Sequence, residues 1–254
     1  MSKKNDTRRD EITKIILSKE EVSVIYLSNK LKVSAETIRS DLTFLEEKGV
    51  LYRTHGGARL RYRNAILPMD IRMRENIDAK KAIAYAAISL IKDDSTIYMD
   101  PSSTALPLGR LLRMKKNLTI VTNSYELIPI IAESEHKLII LGGEFYRSGK
   151  RMIGPVGIKM VQNIHFDFCI LGMDGSQNLN GPAIVSFDEA QLNHTVIKNS
   201  NTKILLSDDS KFTKTSPFIY CNWSDLDYLI TNRISDDTKE YFKDINNIII
   251  AEDN

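Results

Sequence analysis

Apolar residues recur along the first fifty positions with the spacing of short helices. Ile12, Ile15 and Ile16 lie at i, i+3 and i+4, which gathers them on one face, and Val24, Leu27 and Leu31 continue the pattern. After a break at Lys32-Val33-Ser34, Ile38, Leu42 and Leu45 fall at i, i+4 and i+7. Ser34 suits an N-cap, because its hydroxyl can accept from an amide of the first turn. Gly49 suits the left-handed position that closes a helix. Val50-Leu51-Tyr52 then reads as a strand, His55-Gly56-Gly57 as a turn, and Ala58-Arg59-Leu60 as a returning strand. Residues 61–77 are rich in arginine and lack periodicity, the pattern of a linker.

From Asp78 the pattern changes. A helix over Ala79–Ile91 sets Ile83, Ala87, Leu90 and Ile91 on one side. Continuous apolar runs follow at Thr96–Met99, Leu118–Val121, Leu138–Leu141, Phe166–Leu171, Lys203–Leu206, Tyr228–Ile230 and Ile248–Ile250, with helical segments at Thr104–Met114, Tyr125–Glu133 and Asp188–Asn199. Strands that are apolar throughout and alternate with helices predict a buried parallel sheet in an α/β domain. The chain is therefore expected to hold a small helical domain at 1–60, a linker at 61–77 and an α/β domain at 78–254.

Composition narrows the class. Hydrophobic residues make up 42% and charged residues 27% of 254, values of a globular chain. No apolar run approaches the roughly 18 residues of a membrane span, and Met1–Asp10 has no apolar stretch of a signal peptide. Of two cysteines, Cys169 sits in an apolar run and reads as a reduced core residue, which points to the cytoplasm. The four histidines are scattered, so no metal site is expected; no cofactor is implied either. Residues 1–74 carry 16 Lys and Arg against 10 Asp and Glu, a net of +6, whereas residues 75–254 carry 19 against 23, a net of −4. A basic N-terminal part suits a polyanion partner.

Two helices, a tight turn and a third helix fit a helix-turn-helix over about residues 22–41. With Ile38, Leu42 and Leu45 turned inward, Glu36, Thr37, Arg39, Ser40 and Thr43 are left to face double-stranded DNA, together with the cap Ser34. Arg39 suits a guanine edge or a phosphate, and the short hydroxyls suit phosphates or base edges. The Gly56-Gly57 turn, flanked by Arg53, His55 and Arg59, would form a basic wing beside the helix. The competing reading is a three-helix bundle for protein contact.

In the α/β part, ligands are expected outside the carboxyl ends of the strands. Those ends carry Asp100-Pro101-Ser102-Ser103-Thr104, Thr122-Asn123-Ser124, Gly142-Gly143 with Arg147 nearby, Gly172-Met173-Asp174-Gly175, and Ser207-Asp208-Asp209-Ser210-Lys211. Hydroxyls and amides at a helix start make a phosphate cradle, and glycines with one lysine and one arginine suit a small anionic polyol. Each piece also has a plainer reading, as a helix cap, a turn or a surface charge.

The stretch Val33 to Leu42, with Leu45-Glu46-Glu47-Lys48-Gly49 and His55-Gly56-Gly57-Ala58, resembles the DeoR family of bacterial transcription regulators. Ser40 stands where that family usually has a second arginine. The resemblance continues through Arg74-Glu75-Asn76, Lys80, the strand-end motifs above, Gly154-Pro155 and Glu189, which look like the family's sensor domain. That domain is similar in fold to ribose-5-phosphate isomerase and the CoA transferases. The resemblance implies a winged helix-turn-helix followed by a parallel-sheet α/β sensor, a homo-oligomer on operator DNA, and a phosphorylated sugar as effector. It further implies Ser102, Ser103, Thr104 and Lys211 around the phosphate, Asp100, Asn123, Asp174 and Glu189 on hydroxyls, and Arg147 closing over the anion, with Gly143 and Asp208 at the same site. Two other classes remain open: an isomerase of aldose phosphates, with Asp174, Glu189 and Lys211 in catalytic roles, and an architectural DNA-binding protein without an effector.

Overall fold

Helix α1 (Lys3–Lys19) buries Ile12, Ile15 and Ile16. They meet Val24 and Leu27 of α2 (Val24–Leu31) and Ile38, Leu42 and Leu45 of α3 (Ala35–Glu47) in one apolar cluster. The computed structural model describes residues 3–60 and 67–252, in two units, 1–72 and 73–254. In the first unit Ser34 caps α3 by accepting from the Thr37 amide, and Gly49 is left-handed at φ 74°. A three-stranded antiparallel sheet completes it, in the order β1 (Glu21–Ser23), β3 (Gly57–Leu60), β2 (Leu51–Thr54). Strand β1 has no counterpart in the sequence reading, because three residues with only Val22 buried leave no period to detect. A Cβ on Gly57 would stand 1.9 Å from the Val22 carbonyl oxygen, so the close approach of β1 to β3 requires glycine there.

The stretch expected to be a linker is partly helical. Residues 61–66 lie outside the described residues. Met69–Arg72 forms a short helix, α4, with Met69 and Ile71 buried. Helix α5 spans Ile77–Ile88, starting two residues earlier than the apolar period suggests and following a left-handed Asn76. A four-residue helix is too short for a 3.6-residue period to register.

The second unit runs β4 (Thr96–Met99), α6 (Leu106–Leu111), β5 (Thr119–Thr122), α7 (Leu127–Ala132), β6 (Lys137–Ile140), β7 (Glu144–Tyr146), β8 (Arg151–Ile153), α8 (Pro155–Val161), β9 (Phe166–Leu171), β10 (Ala183–Ile184), α9 (Phe187–Lys198), β11 (Ser200–Leu206), β12 (Phe218–Ile219), β13 (Tyr228–Thr231), α10 (Asp236–Lys239) and β14 (Asn247–Ile250). All seven apolar runs of the sequence form one parallel sheet in the order β14-β13-β11-β9-β4-β5-β6. Tyr98, Cys169, Leu171, Leu205 and Leu229 lie in its core. Burial pushes the Cys169 thiol up to about 12, so it stays a protonated core residue. Helix α6 begins at Leu106 rather than Thr104 and passes into a 3-10 turn over Leu112–Met114. The hairpin β7–β8, α8 and the two-residue pair β10–β12 are additions that no periodic run announces.

Chain order fixes where this sheet opens. From β4 the chain proceeds outward through β5 and β6; it then returns to β9 on the other flank and proceeds through β11, β13 and β14. The reversal lies between β4 and β9, and in open parallel sheets the crevice outside the carboxyl ends at such a point receives ligands.

Candidate functional site

The first unit presents α3 and the β2–β3 wing. Arg39 and Glu36 are exposed and face each other at 3.4 Å. Exposed ion pairs of this kind are weak, so Arg39 is available to a stronger anion. Ser40, His55 and Gly56 are exposed as expected. Ser34 is occupied locally, lying 2.9 Å from the Thr37 hydroxyl as well as capping the helix. Thr43 joins helix to wing: its hydroxyl donates to the Arg39 carbonyl and accepts from Arg53 at 3.0 Å. The Arg53 amide also donates to Glu46, so the wing is tied to α3 at two points. Sequence reasoning missed what orients α3. Asp41 is buried and accepts from Arg8 Nε at 2.5 Å and Arg9 Nε at 2.8 Å, both from α1. The Arg9 guanidinium also lies 3.8 Å from the Phe44 ring centroid.

In the second unit Asp100 follows β4 and Gly172 follows β9, the two strands at the reversal. One Asp100 oxygen accepts from the Gly172 amide at 2.6 Å and the other from the Ser102 amide at 2.9 Å. Burial pushes the Asp100 carboxyl up, against the pull of those two amides. The carboxylate therefore pins two loops together. Ser102 accepts from the Ala105 amide at 3.0 Å, which closes the turn ahead of α6, a helix without a side-chain cap. Ser103 and Thr104 are buried in the same turn, and Ser103 receives the Lys80 ammonium at 3.1 Å.

A polar cluster follows β11. Asp208 accepts from Asn76 at 2.8 Å and from the Ser210 hydroxyl. Burial raises the Asp208 carboxyl, but the Ser210 hydroxyl, Lys211, Asn76 and Lys80 outweigh it and hold the carboxyl below its ordinary range. Lys80 and Lys211 thus both act on one carboxylate beside the Ser103 turn.

On the other flank, Asn123 follows β5, accepts from the Tyr98 hydroxyl at 3.2 Å and donates to the Met152 carbonyl. Burial, then Asp100 and Glu189, push the Tyr98 phenol well above its ordinary value, so it is a neutral donor. Glu189, in the first turn of α9, is ion-paired with buried Arg151 of β8. Asp174 accepts from the Val185 amide at 3.1 Å.

Asp100, Ser102, Ser103, Thr104, Asn123, Asp174, Asp208 and Lys211 thus follow the carboxyl ends of β4, β5, β9 and β11, with Glu189 in the first turn of α9. No described contact brings Arg147 or Gly143 to them. Arg147 is exposed in the β7–β8 turn, and Gly143, at φ 148°, starts that hairpin with Ile153 packed against it. The buried guanidinium of the hairpin is Arg151, which the sequence reading did not single out. Lys80 and Asn76 were quoted there without a role; the available signal was a lysine on the apolar face of α5, three residues before Ile83. Among the described residues, no group of acidic, histidine and cysteine side chains is arranged to hold a metal, and no helix is long and apolar enough to cross a membrane.

Residues 8–63 match the DeoR-like helix-turn-helix domain, and residues 75–233 match the DeoR C terminal sensor domain. The chain is 31% identical to the HTH-type transcriptional regulator GolR of Listeria innocua, over 93% of this chain and 94% of that one. It is 30% identical to the lactose phosphotransferase system repressor of Staphylococcus epidermidis, over 92% and 94%. Among solved structures, ribose 5-phosphate isomerase A of Methanocaldococcus jannaschii aligns with 55% of this chain and 56% of its own, at 21% identity and a TM-score of 0.40.

Proposed function

The chain belongs to the DeoR family of transcriptional regulators, and from that premise we propose that it represses a carbohydrate catabolic operon under the control of a phosphorylated sugar bound in the crevice of its second unit. It is a DNA-binding regulator and not an enzyme. The observation that carries the effector reading is the pole formed by Lys80, Ser103, Asp208 and Lys211 at the carboxyl ends of the central strands. Two lysines beside a hydroxyl turn suit a phosphate, and the carboxylates and Asn123 suit the hydroxyls of its sugar. A lactose-system repressor among the relatives supports the carbohydrate setting. Glu189, held as the counterion of Arg151, is poorly placed as the free base an isomerase needs.

Control of this kind is linkage. The sugar phosphate shifts operator binding only by preferring one state of the regulator. We place the protein in the cytoplasm as a dimer or tetramer, whose symmetry matches paired operator half-sites.

Two substitutions test the halves separately. Arg39→Ala weakens operator binding by about 1–3 kcal/mol, the usual worth of a specific arginine contact. Fluorescence anisotropy at matched salt reads it, and an unchanged affinity removes α3 as the readout helix. Lys211→Ala weakens sugar-phosphate binding by about 10- to 100-fold, the loss of one charged hydrogen bond, while operator binding without ligand persists. A thermal-shift titration of wild type and variant against a panel of sugar phosphates and free sugars checks this. Equal responses of the two proteins make Lys211 a surface charge, and a wild type that responds to none of the panel removes the effector reading.

A further inference from the structure

Arg151 is the first residue of β8, and its side chain is only 3% exposed. A guanidinium has five N–H donors and no acceptor, so taking it out of water is costly unless oxygens surround it. Here Nη2 meets Glu189, and the Tyr146 ring covers the group with its centroid 5.1 Å away. The Nε atom is buried and has no acceptor. The pair sits at a defined end of the crevice. Arg151 bridges to Ser124, directly after Asn123, and both Arg151 and Glu189 act on the Tyr98 hydroxyl. The lysine pole reaches from the turn after β4, next to β5, to the turn after β11, three strands from β5.

We propose that Arg151 is a specificity-determining residue of the effector site, acting with Glu189 as a donor–acceptor pair that reads two adjacent hydroxyls of the sugar. The inference rests on the sugar-phosphate reading of the crevice. Each hydroxyl both donates and accepts, whereas arginine only donates and a carboxylate only accepts. Side by side, the two satisfy a vicinal diol in one arrangement and leave it unmatched in another. A hydroxyl oxygen beside Arg151 supplies the acceptor that Nε lacks. A site built around buried donors rejects a ligand that fails to pair with them, because the mismatch strands a polar group away from water. The roof over the pair is the β7–β8 hairpin: Tyr146 stacks on Arg151, and a Cβ on Gly149 would stand 2.3 Å from Arg151 Nη1. The covering turn therefore belongs to the same hairpin that carries Arg151, with the exposed Arg147 at its edge.

The test is a calorimetric titration of the full chain with pentose and hexose phosphates that differ in one hydroxyl configuration. The quantity read is the ratio of dissociation constants between the best ligand and its epimers. In wild type this ratio is expected to reach about 100. Arg151→Lys, which keeps the charge but loses the planar fork, and Glu189→Gln, which keeps the shape but loses the full acceptor, are each expected to lower it at least about tenfold. A merely structural role weakens all epimers alike and leaves the ratio where it was, and that result in both variants overturns the proposal. If one variant fails to fold, the ratio in the other decides. A wild type that binds some sugar phosphate but shows no epimer preference overturns the pair alone. A wild type that binds no sugar phosphate overturns the effector reading and the pair with it.

Discussion

Replacing Asp41 by alanine is expected to weaken operator binding at least tenfold without altering any group that faces DNA. Asp41 lies on α3 beside the inward positions Ile38, Leu42 and Leu45 and is 1% exposed. Two arginines of α1 converge on its oxygens, Arg8 at 2.5 Å and 3.3 Å and Arg9 at 2.8 Å. Alanine takes away the carboxylate that both guanidinium groups share, themselves only 15% and 13% exposed. Breaking a buried pair by removing one member costs about 3–5 kcal/mol. The partial access of water to the arginines brings the expected loss to about 2–4 kcal/mol. That is a large part of what holds a small domain folded. Calorimetry of Asp41→Ala should show the transition of the first unit lowered or lost while that of the second persists, and anisotropy should show operator affinity down at least tenfold. Asp41→Asn, which keeps the shape and one acceptor, should fall between. Wild-type operator affinity in Asp41→Ala would mean that α3 is oriented by its apolar contacts alone.

Much of this architecture was legible in the chain because its strongest signals are long. The inner strands of the central sheet are mostly apolar runs bounded by turn residues, because burial on both faces favours apolar side chains. In Phe166–Leu171 the apolar residues are at most 6% exposed, and the one carboxylate, Asp167, accepts from the Thr96 amide of β4. Short elements carried no period: β1 buries only Val22, and β10 and β12 have two residues each. The site was legible as a set of strand ends, since the sheet rule names the place before any contact is known. What the pattern did not resolve was which cation faces inward. Arg147 and Arg151 sit on one hairpin, and in the register of β7 on β8 it is Arg151 that lies opposite Tyr146 and turns under it. A one-residue difference in pairing reverses the facing of a strand residue, and nothing in the spacing fixes the length of that turn. Asp100 shows the converse. Its motif was foreseen, yet both its oxygens are occupied by backbone amides, so its part is to hold the loops on which other groups meet a ligand.

That role of the loops makes Gly172→Ala the most damaging single change in the second unit. The Gly172 amide is one of the two donors to Asp100, and the loops after β4 and β9 touch at this point. A Cβ on Gly172 would stand 2.4 Å from Ser102 Cβ and 2.6 Å from its hydroxyl. A Cβ atom has no rotamer by which to escape, so the loops must part, and parting them lengthens the 2.6 Å bond to a buried carboxylate. Overpacking of this kind costs about 1–3 kcal/mol, and a weakened buried hydrogen bond adds about 1 kcal/mol. For a unit of this size the sum lowers the melting temperature by about 5–10 °C. Sugar-phosphate binding should be lost with it, because the Ser103 turn and the Asp174 loop lie on the two segments forced apart. The double variant Ser102→Gly with Gly172→Ala removes the opposing Cβ and should recover most of the melting temperature, a non-additivity expected only of residues in direct contact. Additive losses in the double variant would show that the damage arises from the backbone of Gly172 itself and not from the meeting of the two loops.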